Sequence, residues 1–264
     1  MPRAQVVLVH GLRTSSTMWR RQVAALARHG IDAVAVDLPG HGSRLGGPFS
    51  VAEALGVIDA AFPPDDGDAG ADRAPRLLVG LSLGGYLAIE YAATHPGRID
   101  GLVAASCGTR PRGAGLAGYR RLAAAIGRLP DRGRGLNDLM VRVFLPRDQV
   151  ADVLAGGVAL DVMEPVLGAV GALDPEAALG RIDVPVWLVN GRFDHFRIEE
   201  RRMLRAARDG RLVVVPGATH LVSLARPEEF TAVVLGAVAE LDRRAARARR
   251  VDTARTLPDG VPGS

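Results

Sequence analysis

Ser82 stands in Gly80-Leu81-Ser82-Leu83-Gly84, directly after an apolar run at 77–79 and directly before a helical pattern. A sharp strand-to-helix turn of this kind exposes the middle hydroxyl above a sheet. Its flanking positions must be small, because the turn brings backbone close to backbone. A serine hydroxyl is a poor nucleophile at neutral pH, so the chemistry also requires a base and a group that orients the base. Among six histidines, His220 follows the last apolar run in Pro216-Gly217-Ala218-Thr219-His220, and Asp194 follows the run before it in Asn190-Gly191-Arg192-Phe193-Asp194. Both fall at the same sheet edge as Ser82, in the chain order nucleophile, acid, base. His195 is a competing base, although it adjoins the proposed acid and contends with it for position. Acyl transfer needs two donors aimed at the developing oxyanion, and the backbone N–H groups of Leu12 and Leu83 are the candidates. His10 reads as a structural histidine, and Asp37 and His41 as stabilisers of a loop beside the site.

These side chains need a scaffold that returns to one edge repeatedly. Short apolar runs at 6–9, 33–36, 77–79, 99–105, 184–189 and 212–215 read as buried parallel strands. Helical spacing fills 19–29, 50–62, 83–95, 199–208 and 227–241, with Gly30 as a C-cap and Ser50 and Glu53 in capping-box register. Residues 63–75 are rich in Pro, Gly and Asp and read as a solvated loop. The alternation predicts an α/β fold, a mostly parallel sheet of about six strands with helices on both faces and ligands at the strands' carboxyl ends. The strand rhythm stops from 108 to 180, where Ala, Leu and Arg dominate, so a helical cap is expected there. The core is then 1–107 with 181–242, and 243–264 is an Arg-rich tail expected to be disordered.

The chain resembles the α/β-hydrolase superfamily, in its form with a helical cap after the fourth strand of this chain. The resemblance covers about 6–241. It rests on V-L-V-H-G-L at 7–12, D-L-P-G-H-G at 37–42, G-L-S-L-G-G at 80–85, N-G-R-F-D at 190–194 and G-A-T-H at 217–220. It implies a triad of Ser82, His220 and Asp194, with Leu12 and Leu83 lining the oxyanion hole. Family members usually begin with an antiparallel strand pair, and few residues precede Val6 here, so a shortened sheet is expected with its 33–36 edge less covered, a possible pairing surface. Serine at 82 argues against the dehalogenase and epoxide-hydrolase relatives, whose covalent intermediate needs a carboxylate. The resemblance is nearer to small-ester hydrolases, enol-lactone hydrolases and cofactor-free perhydrolases. It implies a serine hydrolase that cleaves a small or medium apolar ester or lactone through an acyl-enzyme. Acyl transfer, perhydrolysis, lyase or cyclase chemistry at the same triad is the alternative, and a non-catalytic ligand-binding homologue a more distant one.

Composition narrows the remaining classes. The 264 residues are 48% hydrophobic and 23% charged, enough for a buried core. The net charge is +4, and the stretch 243–264, with six arginines and two aspartates, accounts for all of it. A polyanion groove needs positive charge along the body, so no nucleic-acid partner is expected. No apolar run is long enough to span a bilayer, so no membrane partner is expected either. The lone Cys107 reads as a small buried hydrophobe, and with no signal peptide in view the expected location is cytoplasmic. No Cys/His spacing suggests a metal, so neither metal nor cofactor is expected. The expected partner is a small-molecule ester or lactone, and the expected state a monomer or homodimer. In the cap, Arg110, Arg112, Arg120 and Arg121 read as solvated, with pairing to a substrate carboxylate as the sharper alternative. Met18 and Trp19, just past the oxyanion loop, read as core.

Overall fold

The computed structural model describes residues 4–64 and 73–256, with backbone only at 114, 144 and 251–256. The chain runs β1 (Gln5–Val9), α1 (Arg20–Arg28), β2 (Asp32–Val36), α2 (Val51–Ala60), β3 (Arg76–Leu81), α3 (Leu83–Thr94) and β4 (Gly101–Ala105). Five helices follow without a strand: α4 (Gly113–Gly127), α5 (Arg134–Phe144), α6 (Arg147–Ala155), α7 (Met163–Gly171) and α8 (Pro175–Leu179). The alternation then resumes with β5 (Val186–Gly191), α9 (Glu200–Ala206), β6 (Gly210–Val215), α10 (Val222–Ala225) and α11 (Pro227–Thr256).

The six strands form one sheet in the order β2-β1-β3-β4-β5-β6, parallel throughout. Continuous apolar runs suit these strands because side chains alternate between two covered faces. Val7, Val9 and Leu78 pack on one side with Leu87 and Ile89 of α3. Val6, Leu8, Leu77 and Val79 pack on the other with Trp19 and with Phe230 of α11. Met18 and Trp19 are fully buried there, as core residues should be. Helix starts follow local chemistry. Ser50 Oγ accepts from Glu53 N–H at 3.1 Å, and Asp174 Oδ1 accepts from Ala177 N–H at 3.1 Å ahead of Pro175.

β2 is one edge of the sheet and β6 the other, and Val34 on β2 is 44% exposed. The expected disorder from 243 onward is corrected as far as Thr256, because α11 runs on without a break. Arginine and alanine are strong helix formers, and Arg244 anchors the extension by pairing with Asp209 and Glu240, both at 2.8 Å. Residues 257–264 of the tail, and 65–72 of the predicted loop, lie outside the described residues. No described helix is long and apolar enough to cross a membrane.

Candidate active site

Ser82 turns the chain from β3 into α3 with φ 55° and ψ −112°. An L-residue holds such a left-handed φ at a cost of about 1–3 kcal/mol, so the surroundings must enforce it. Ser82 N–H donates to the Ala105 carbonyl at 2.8 Å, and its own carbonyl accepts from Tyr86 N–H at 3.1 Å. The flanking glycines have no room to be anything else. A Cβ on Gly80 would stand 2.1 Å from the Gly84 carbonyl oxygen, and one on Gly84 would stand 2.3 Å from that of Val9.

Asp194 sits in the loop after β5 and His220 in the loop after β6. His220 Nε2 is 3.0 Å from Ser82 Oγ, and Nδ1 is 3.0 Å from Asp194 Oδ1. With the proton on Nδ1, the ring donates to Asp194 and accepts at Nε2 from the serine hydroxyl. Phe196 N–H donates to the same carboxylate oxygen at 2.8 Å. Burial pushes the Asp194 pKa up, but these hydrogen bonds and the nearby imidazole outweigh it and hold the group below the usual carboxylate range. The three side chains named from sequence are therefore in contact.

The rival base does not reach the hydroxyl. The His195 ring lies 5.2 Å from that of His220, and burial together with that neighbour lowers its pKa. Beside the nucleophile runs the loop after β1, where a Cβ on Gly11 would lie 3.5 Å from Ser82 Cβ. The N–H groups of Leu12 and Leu83 donate to no protein acceptor among the described residues. His10 accepts from Leu38 N–H at 3.0 Å through Nε2 and contacts the Gly11 carbonyl at 2.8 Å through Nδ1. Burial, reinforced by His41, pushes its pKa down to about 3. Asp37 ties the two loops together, accepting from Ser16 N–H at 2.7 Å and Ser43 N–H at 2.9 Å. Cys107 is buried, and burial drives its thiol pKa up, away from thiolate chemistry.

Several contacts were not read from sequence. Ser106, also left-handed at φ 54°, donates its hydroxyl to the His220 carbonyl at 2.6 Å and so fixes the backbone that carries the imidazole. Its position just past β4, at the edge shared by Ser82, was the available signal. Phe196 lies 4.9 Å from the His220 ring, and Tyr119 of α4 meets Phe196 edge-on at 6.2 Å, so the helical insertion reaches the triad. Three of the four cap arginines are paired with protein carboxylates: Arg110 with Glu199 at 2.5 Å, Arg112 with Asp174 at 3.5 Å and Arg120 with Glu164 at 3.8 Å. Arg121 is exposed.

Residues 6–233 match the alpha/beta hydrolase family. The chain belongs to that family. Among relatives of this alpha/beta hydrolase is a pimeloyl-[acyl-carrier protein] methyl ester esterase of Neisseria meningitidis serogroup B. The two are 30% identical, over 88% of this chain and 93% of the relative. Solved structures of similar fold include a thermophilic esterase from Thermogutta terrifontis, with TM-score 0.69 and 22% identity over 91% of each chain. Another is the enol-lactonase from Burkholderia xenovorans LB400, with TM-score 0.63 and 21% identity over 89% of this chain and 91% of that one.

Proposed function

We propose that this alpha/beta hydrolase is a serine esterase that cleaves a small or medium carboxylic ester or lactone through an acyl-enzyme. The observation that carries the reading is the His220 ring standing 3.0 Å from both Ser82 Oγ and Asp194 Oδ1. His220 Nε2 takes the hydroxyl proton as Ser82 Oγ attacks the carbonyl carbon, and Asp194 stabilises the imidazolium that results. The N–H groups of Leu12 and Leu83 receive the negative oxygen of the tetrahedral intermediate. His220 returns its proton to the leaving alkoxide, and the alcohol departs. A water, deprotonated by the same nitrogen, then attacks the acyl carbon and releases the acid, restoring Ser82. The likeness to a relative named as a methyl ester esterase supports the choice of a carboxylic ester.

A panel of p-nitrophenyl and methyl esters and lactones, graded by chain length, tests this. Wild-type turnover should fall by at least about 10³-fold in Ser82→Ala while the fold is retained. Retained turnover in that variant would overturn the reading.

A further inference from the structure

The loop that carries Leu12 closes with an anomaly one residue later. Gly11 to Thr14 is a tight turn, with the Gly11 carbonyl accepting from Thr14 N–H at 3.3 Å and from Thr14 Oγ1 at 2.8 Å. Arg13, its third residue, takes φ 65°. Glycine or asparagine holds such a position at little cost, whereas a long side chain pays steric strain. The side chain carries a second penalty. Arg13 is half-buried, its Nε is fully buried without a hydrogen-bond partner, and no carboxylate pairs with the guanidinium among the described residues. Burying an unpaired charge is costly, and a stability role alone gives no return for it.

The guanidinium reaches from the loop after β1 to the helical insertion. A Cβ on Gly133, which precedes α5, would lie 3.5 Å from Arg13 Nη2. Tyr119 is close enough that the Arg13 cation pulls its pKa down, against a larger upward push from burial. Tyr119 packs on Phe196, and Phe196 on the His220 ring, so Arg13, Tyr119 and Phe196 arch from the oxyanion loop to the base.

We propose that Arg13 is a specificity-determining residue, whose guanidinium binds a carboxylate at the far end of the ester while Ser82 attacks the scissile carbonyl. The inference rests on the esterase reading and refines it, from a small or medium carboxylic ester to one with an anionic end. A planar guanidinium fork matches a carboxylate with two parallel hydrogen bonds. Tyr119, whose hydroxyl meets no partner among the described residues, offers a further donor. A phosphate usually draws on a row of free backbone N–H groups as well. Here the start of α5 is already taken, because Asp131 accepts from Gly133 N–H at 2.9 Å and from Gly135 N–H at 2.7 Å.

The test compares monomethyl half-esters of linear dicarboxylic acids with the matching ester-amides, in which a neutral carboxamide replaces the free acid. At the preferred length, wild-type kcat/KM should favour the half-ester. Arg13→Gln should shrink that preference about 100-fold, mostly through KM, and Arg13→Lys should restore part of it. No preference at any length, or an equal loss on both substrates in Arg13→Gln, overturns the proposal. Calorimetric titration of the half-ester into Ser82→Ala, with and without Arg13→Gln, separates this inference from the esterase reading. Binding lost with Arg13 supports the carboxylate site even if the wild type hydrolyses neither substrate. Binding that is absent, or indifferent to Arg13, overturns it.

Discussion

At the scale of single residues, the triad and its supports make different demands. Asp194 is 5% exposed and holds the imidazole with Nδ1 protonated. Asp194→Asn should keep the fold and cut kcat by about 10³–10⁴-fold, since the amide favours the wrong tautomer; steady-state kinetics on any active ester reads this. Gly84→Ala should be severely destabilising, because its Cβ would lie 2.3 Å from the Val9 carbonyl oxygen, and backbone cannot swing aside as a flexible side chain can. Loss of soluble protein or of the thermal transition is the expected readout. A third expectation concerns acid. His10, pushed down to about 3, and His41, also lowered by burial, stay neutral in the fold but titrate near 6.5 once unfolded. Their contribution is therefore complete above pH 6.5 and is lost as the pH falls below it, for His10 down toward 3. Melting between pH 7 and 4.5 should become steadily easier, with proton uptake on unfolding. His41→Phe, which preserves a ring between His10 and Phe49, should reduce that uptake.

Among the elements, legibility followed how local the signal was. The strand ends that carry Ser82, Asp194 and His220 were readable because a buried parallel strand is a short apolar run with abrupt punctuation. The turn at Ser82 announced itself through glycines whose necessity is steric. Arg13 gave no such sign: its left-handed φ comes from the turn that Thr14 closes on Gly11, and its missing counter-ion depends on what the helical insertion places beside it, neither of which follows from the letters His-Gly-Leu-Arg-Thr. Tyr119 and Phe196 were hidden for the same reason, being neighbours only across that interface. At the other end of the chain, net charge suggested a loose tail, yet Asp209 lies 35 residues from Arg244 in sequence and its contact was invisible there. Truncation after Leu241 should lower the melting temperature by about 1–2 °C, because the lost pairs are half-exposed and each contributes well under ~1 kcal/mol. A melt that does not move would show that the extension of α11 adds nothing to stability.

For the whole molecule, the sheet ends abruptly at β2. Its outer row of N–H and C=O groups meets no further strand among the described residues, and Val34 faces outward from a strand whose one charge is Asp32. An unguarded edge of this kind templates association between copies. Val34→Lys should raise the onset temperature of light scattering on heating and leave ester turnover alone. The order of the triad along the chain has a temporal consequence. Ser82 and His220 are 138 residues apart in the chain, and Asp194 also emerges long after the serine. At elongation rates of roughly 5–20 residues per second, the nucleophile leaves the ribosome several seconds or more before its base. A nascent polypeptide is thus chemically silent until the loop after β6 has emerged, and on the esterase reading the onset of turnover times the arrival of His220 at Ser82.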